Sequence, residues 1–133
     1  MSENEEIIKV IEKFFEVGKN KNLVPLREIQ LNDSRFSSFS DVPPFDLKDF
    51  ATTLVLEELR FVSISDYDYQ IKNLKISIFD TTAIVAFELI QKGILVDDKA
   101  FTGELITING RATFVLVKSP TWKIAHIHLS KTE

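Results

Sequence analysis

Apolar residues recur at helical spacing near the start of the chain, where Ile7, Ile8, Val10, Ile11, Phe14 and Phe15 form a stripe that stops near Gly18. Ser2 and Glu5 stand ahead of it at capping-box spacing, so that a hydroxyl and a carboxyl can satisfy the first free N–H groups. The pattern predicts an amphipathic first helix. Asn22 is placed to cap a short second helix reaching about Leu31, with Pro25 in its first turn, where a missing N–H costs nothing. Asp46 is expected to cap a third helix through about Val62, in which Leu47, Phe50, Leu54 and Phe61 share a face with Glu58 as the polar interruption. Residues 32–46 are rich in Ser, Asp and Pro, yet they carry Phe36, Phe39 and Phe45, which predicts an ordered loop lying over apolar surface.

After the third helix the period changes to two. Residues 67–78 and 83–92 read as antiparallel strands joined by a turn at Asp80 and Thr81. A looser connection over 93–99 leads to three more expected strands, Ala100 to Asn109, Arg111 to Lys118 and Trp122 to Leu129. Asn109-Gly110 between the first two is a strong hairpin signal, because a type I′ turn needs positive φ at both central residues. That turn sets Ile108 opposite Arg111, and a loop at residues 119–121 then pairs Lys118 with Trp122 and Phe114 with His126. Glu104, Ile106, Ile108, Arg111, Thr113, Val115, Val117, Ile127 and Leu129 thereby share one face. Leu105, Ala112, Phe114, Leu116, Trp122, Ile124, His126 and His128 share the other. Both faces are largely apolar and both ask for cover. Three helices cover one, and a second copy of the chain is the simplest cover for the other. The pattern therefore predicts a homodimer through the outer sheet face, with Phe114, Trp122, His126 and His128 at the interface.

Composition narrows the partners. With 133 residues the chain suits one domain spanning residues 1–133, and the pattern holds no internal repeat to divide it. Sixteen basic against 20 acidic residues give a net charge of -4 with no dense basic run, so nucleic acid is not an expected partner. The absence of Cys removes disulfides, thiolate nucleophiles and Cys-ligated metals. A polar, acidic N-terminus and no apolar run near the ~20 residues of a membrane helix lead us to expect a soluble cytoplasmic protein with no membrane contact. His126 and His128 lie at i, i+2 without an evident third ligand, so no metal is expected. No glycine-rich phosphate loop is present and no cofactor is expected.

The helix bearing Phe14 and Phe15, the loop NDSRFSSFSDVPPF, the segments AIVAFELIQKG and NGRATFVLV and the close WKIAHIHLS resemble the SnoaL-like group of the nuclear transport factor two-like superfamily. The resemblance covers nearly the whole chain. It implies an α+β fold of cystatin-like topology, in which three N-terminal helices pack on a strongly curved antiparallel sheet in a cone-shaped α+β barrel. It also implies a cavity between the concave face and the first helix, and dimers through sheet surfaces. Members include isomerases, cyclases and dehydratases as well as non-catalytic assembly domains. The ending is similar to the calmodulin-dependent kinase association domain, whose pocket arginines fall here on Glu88, Thr113 and Leu129. Against ketosteroid isomerase, the first-helix tyrosine falls near Phe14 or Phe15 and the protonated aspartic acid near Thr113 or Phe114. Asp41 is a loose counterpart of its aspartate base.

Glu88 sits mid-strand between Phe87 and Leu89. Facing inward it would be partly desolvated, with a raised pKa suited to acid-base work. Paired to Arg111 or to a first-helix lysine it would be structural instead. The expected site thus has Glu88 as the catalytic group and Phe14, Phe15, Phe36, Tyr67, Tyr69, Arg111, Thr113 and Leu129 lining a pocket for a small apolar ligand. The rival reading is an assembly module acting through its sheet face.

Overall fold

Ser2 caps the first helix, α1 (Glu3–Asn20), accepting from the Glu5 N–H and donating to the Glu5 carboxylate as the spacing predicts. The computed structural model describes residues 2–97 and 102–132. Gly18 does not end α1, which runs on to a left-handed Lys21 at φ 60°. Gly18 instead admits a close approach, since a Cβ there would lie 2.5 Å from the Tyr67 ring and 2.7 Å from the Phe61 ring. The short α2 (Pro25–Ile29) follows a turn in which the Asn22 side chain accepts from the Val24 N–H. Helix α3 (Phe50–Ser63) starts later than expected, because Asp49 rather than Asp46 accepts from the N–H of Thr52, at 2.9 Å. Its far end is closed by Lys21, whose Nζ donates to the carbonyls of Phe61 and Ile64.

The loop before α3 contributes a strand of its own, β1 (Ser37–Phe39). Phe36 is buried edge-on against Phe50, with ring centres 5.6 Å apart, and Phe39 lies 5.4 Å from the His128 ring. Phe45, expected to cover apolar surface too, is exposed. The remaining strands are β2 (Ile64–Phe79), β3 (Thr82–Asp97), β4 (Thr102–Lys118) and β5 (Trp122–Lys131). They form a five-stranded sheet in the order β1-β5-β4-β3-β2, curled around the helices but not closed. The sheet is mixed rather than wholly antiparallel, since β1 runs parallel to β5. The turn at Asp80, φ 58°, joins β2 to β3 as expected. Among the described residues no helix is long and apolar enough to cross a membrane.

The expected hairpin at Asn109-Gly110 does not form. β4 continues straight through it, with Asn109 opposite Ile90 and Gly110 opposite Leu89, and no glycine has positive φ. The expected loose connection is strand as far as Asp97, and its last two residues, with the Ala100 start of the next strand, lie outside the described residues. Gly110 serves close approach instead: a Cβ there would lie 2.6 Å from the Ser130 carbonyl oxygen of β5.

An unbroken β4 keeps its parity, so Ile106, Ile108, Ala112, Phe114 and Leu116 all face inward while Arg111, Thr113 and Val115 face outward. β5 starts in the expected register, Lys118 opposite Trp122, and Leu116 then opposes Ile124. The next pair is Val115 with His126, which leaves Ala125 unpaired in a β-bulge. Trp122 and Ile124 before the bulge, and Ile127 and Leu129 after it, all point inward. Phe114 and Trp122 are therefore core residues, 0% and 4% exposed, and leave the outer interface expected of them; only His126 and His128 lie on that side. Phe114 meets Phe14 edge-on at 5.3 Å and Phe87 at 5.6 Å, and Phe14 meets Phe61 at 5.7 Å.

Because the atom facing Gly110 is backbone, it cannot rotate away. Gly110→Ala is expected to lower stability by about 1–3 kcal/mol. Amide exchange of Thr132, whose N–H donates to the Asn109 carbonyl at 2.8 Å, should speed up with it. An unchanged melting temperature would contradict the close approach.

Candidate functional site

A cavity of about 670 Å³ lies between the concave sheet face, α1, α3 and the loop bearing β1, a size typical of small-molecule sites. Phe14 and Phe15 of α1, Leu56 and Phe61 of α3, and Ile127 and Leu129 of β5 give it apolar walls. Glu57, Arg60, Lys48 and Gln91 interrupt them. Thr53, Glu57 and Arg60 fall at i, i+4 and i+7 along α3, which carries all three to its cavity face.

Each of these polar groups has a partner inside the protein. Glu57 Oε1 accepts from the Gln30 amide at 2.6 Å, and Gln30 is itself 1% exposed and anchored by donating to the Leu26 carbonyl. Burial pushes the Glu57 carboxyl up to about 8, against the opposing pull of the Gln30 hydrogen bond and of Arg60. Arg60 donates twice to the Asp41 carboxylate, at 2.6 and 3.1 Å, in a fork geometry. Lys48 Nζ donates to the carbonyls of Pro44 and Asp46, at 2.5 and 2.7 Å, with the Asp46 carboxylate 3.5 Å away. Tyr67 donates to Gln91 Oε1 at 2.7 Å, and burial raises its phenol so that it remains a neutral donor.

Of the residues expected to line a pocket, Phe14, Phe15 and Leu129 do so. Phe36 lies behind the wall against Phe50. Tyr67 is buried beneath Phe61, and Tyr69 stacks on Phe15 at 5.3 Å with burial pushing its phenol up to about 12. Arg111 and Thr113 face outward. Glu88 also lies on the outer face, exposed, hydrogen-bonded to Asn73 and set between Lys72 and Arg111 on the neighbouring strands. The cause is the alternation of β3: Val85, Phe87 and Leu89 take the core side, and Glu88 must take the other. His126 Nδ1 lies 2.8 Å from Ser37 Oγ, and burial followed by the nearby His128 lowers its pKa. Among the described residues no three His, Asp or Glu gather as a metal site.

Sequence reasoning missed Glu57, Arg60, Lys48 and Gln91. The signal present was the helical spacing of Thr53, Glu57 and Arg60, obscured by assigning the polar interruption of α3 to Glu58, one residue further on.

No protein-family model matches the chain, and no curated protein matches it in sequence. Solved structures do. A nuclear transport factor 2-like superfamily protein from Salmonella enterica superposes with a TM-score of 0.82 at 16% identity, over 97% of this chain and 90% of that one. A candidate dehydratase of the NTF2-like family from Streptomyces avermitilis gives 0.80 at 15% identity, over 96% and 95%. The association domain of C. elegans CaMKII gives 0.72 at 17% identity, over 96% and 94%. Identity this low carries the architecture alone: the chain has the NTF2-like fold.

Proposed function

We propose that this cone-fold domain binds a small, mostly apolar molecule in the cavity, with Glu57 as its acid-base group. The observation that carries the reading is the placement of a carboxyl with a pKa near 8 in the wall of an apolar cavity of about 670 Å³. Such a group is protonated at neutral pH yet close enough to its pKa to give a proton up, which is the step isomerases, cyclases and dehydratases have in common. Gln30 acts as the positioning residue, holding Oε1 so that Oε2 is left to carry the proton. The candidate dehydratase among the structural neighbours is compatible with this reading. Native mass spectrometry of the purified protein is the direct test: a retained small molecule, diminished in Glu57→Gln and unchanged in Glu88→Gln, is expected. Retention that ignores Glu57 would remove its role.

The same carboxyl should be visible in stability. Its folded pKa of about 8 stands above the ordinary 4.5, so between those values the folded state keeps a proton that the unfolded state releases. Stability therefore falls as pH rises across that window. Glu57→Gln removes the effect, and from pH 5 to 8 the natural protein should lose roughly 1–3 kcal/mol more than the variant, allowing for solvent in the cavity. Parallel urea titrations showing equal pH slopes would contradict the assignment.

A second reading, self-association through the outer sheet face, is supported by the apolar rows on that face. Ile84 is 40% exposed beside Val115, with Ala86 beside Thr113, and charged Lys72, Glu88 and Arg111 border them. The two readings are compatible. Sedimentation of the natural chain should give a dimer, and Ile84→Glu should shift it to monomer with the circular dichroism unchanged; a natural monomer would end this reading.

A further inference from the structure

Lys48, Glu57 and Arg60 of the cavity wall are each answered within the protein, and this pattern selects ligands. Asp41 and Arg60 close on each other through two hydrogen bonds, so the guanidinium is not left for a ligand carboxylate. Lys48 is held by two backbone carbonyls and faces Asp46. What remains available is hydrogen-bond donation. Gln91 is 3% exposed and lines the cavity, and because its oxygen takes the Tyr67 hydroxyl, its NH2 is the end of the amide that can donate to a ligand.

We propose that the ligand is an uncharged molecule presenting a hydrogen-bond acceptor, a ketone, ester or amide carbonyl on an apolar body, and that carboxylates of the same skeleton are rejected. The inference rests on the small-molecule reading above and specifies the ligand class for that site. A buried anion would find the Arg60 guanidinium and the Lys48 ammonium already committed and would lose its hydration, whereas a carbonyl can accept from the Gln91 amide and from protonated Glu57. The groups acting on Glu57 are Gln30 behind it and Glu58 and Arg60 on its own helix, Arg60 being paired in turn to Asp41; Lys48, Glu104 and Lys131 also line the cavity. Protonated, Glu57 is a second donor, so carbonyl binding should weaken as it ionises above pH 8.

Three naphthalenes of matched shape test this by calorimetry on the full chain. At pH 6.5, 2-acetylnaphthalene is expected to bind at least tenfold more tightly than 2-naphthoate and than 2-methylnaphthalene. Its affinity should fall about tenfold by pH 9 in the natural protein and stay level in Glu57→Gln. Tighter binding of 2-naphthoate would overturn the ligand class while leaving the cavity reading intact. Equal binding of the acetyl and methyl compounds would overturn the donor argument, and failure of all three to bind at millimolar concentration would overturn the cavity reading itself. The pH series on the natural protein decides the donor role if the variant does not fold.

Discussion

The unpaired Ala125 in β5 is the constraint on which the arrangement of this molecule turns. A strand of strict alternation that buried Trp122 and Ile124 would bury His126 and His128 as well and push Ile127 outward. One extra residue reverses the parity, so that two apolar pairs on either side of it face the helices and the histidines face away. The first pair packs under the start of the sheet, and the second supplies Ile127 and Leu129 to the cavity wall. The straight run of β4 gives the bulge its effect, since Phe114 and Leu116 keep a single face against which the altered register of β5 is read.

Gly18 lets α1 approach Phe61 and Tyr67 closely, and Lys21 ties the end of α1 to the last carbonyls of α3. The aromatic cluster of Phe14, Phe15, Phe61, Phe87 and Phe114 fills the space beneath. Towards α3 and the loop bearing β1 the packing gives way to polar side chains, each held by a partner from a different element: Glu57 by Gln30, Arg60 by Asp41, Gln91 by Tyr67. Those cross-links hold the wall in shape without filling it.

Helices, strand content and the broad α+β architecture were legible because they rest on local periodicity and caps, as Ser2 with Glu5 illustrates. The register was not, and the reason is specific. Asn-Gly is a turn signal only when the glycine is there for its positive φ; here it is there because the Ser130 carbonyl leaves no room for a Cβ. That is a tertiary fact with the same local signature. Once β4 was cut in two, the face assignments of Phe114, Trp122 and Thr113 inverted, and the bulge at Ala125 added its own inversion. Glu88 failed differently. An acidic residue in an apolar run belongs to either face, and only the bulk of Phe87 and Leu89 decides, as it does here against Glu88.

Glu57 was hidden for the opposite reason, since on a helix rich in Leu and Val an acidic pair offers two candidates and the buried face decides between them. Thr53, Leu54 and Phe61 set that face, so Glu57 meets Gln30, while Glu58 lies 3.9 Å from Arg27. Burying that carboxyl opposes folding at neutral pH, and a leucine of similar size would satisfy the wall better. A carboxyl that stands in the wall against the stability of its own fold fits what enters the cavity better than what encloses it.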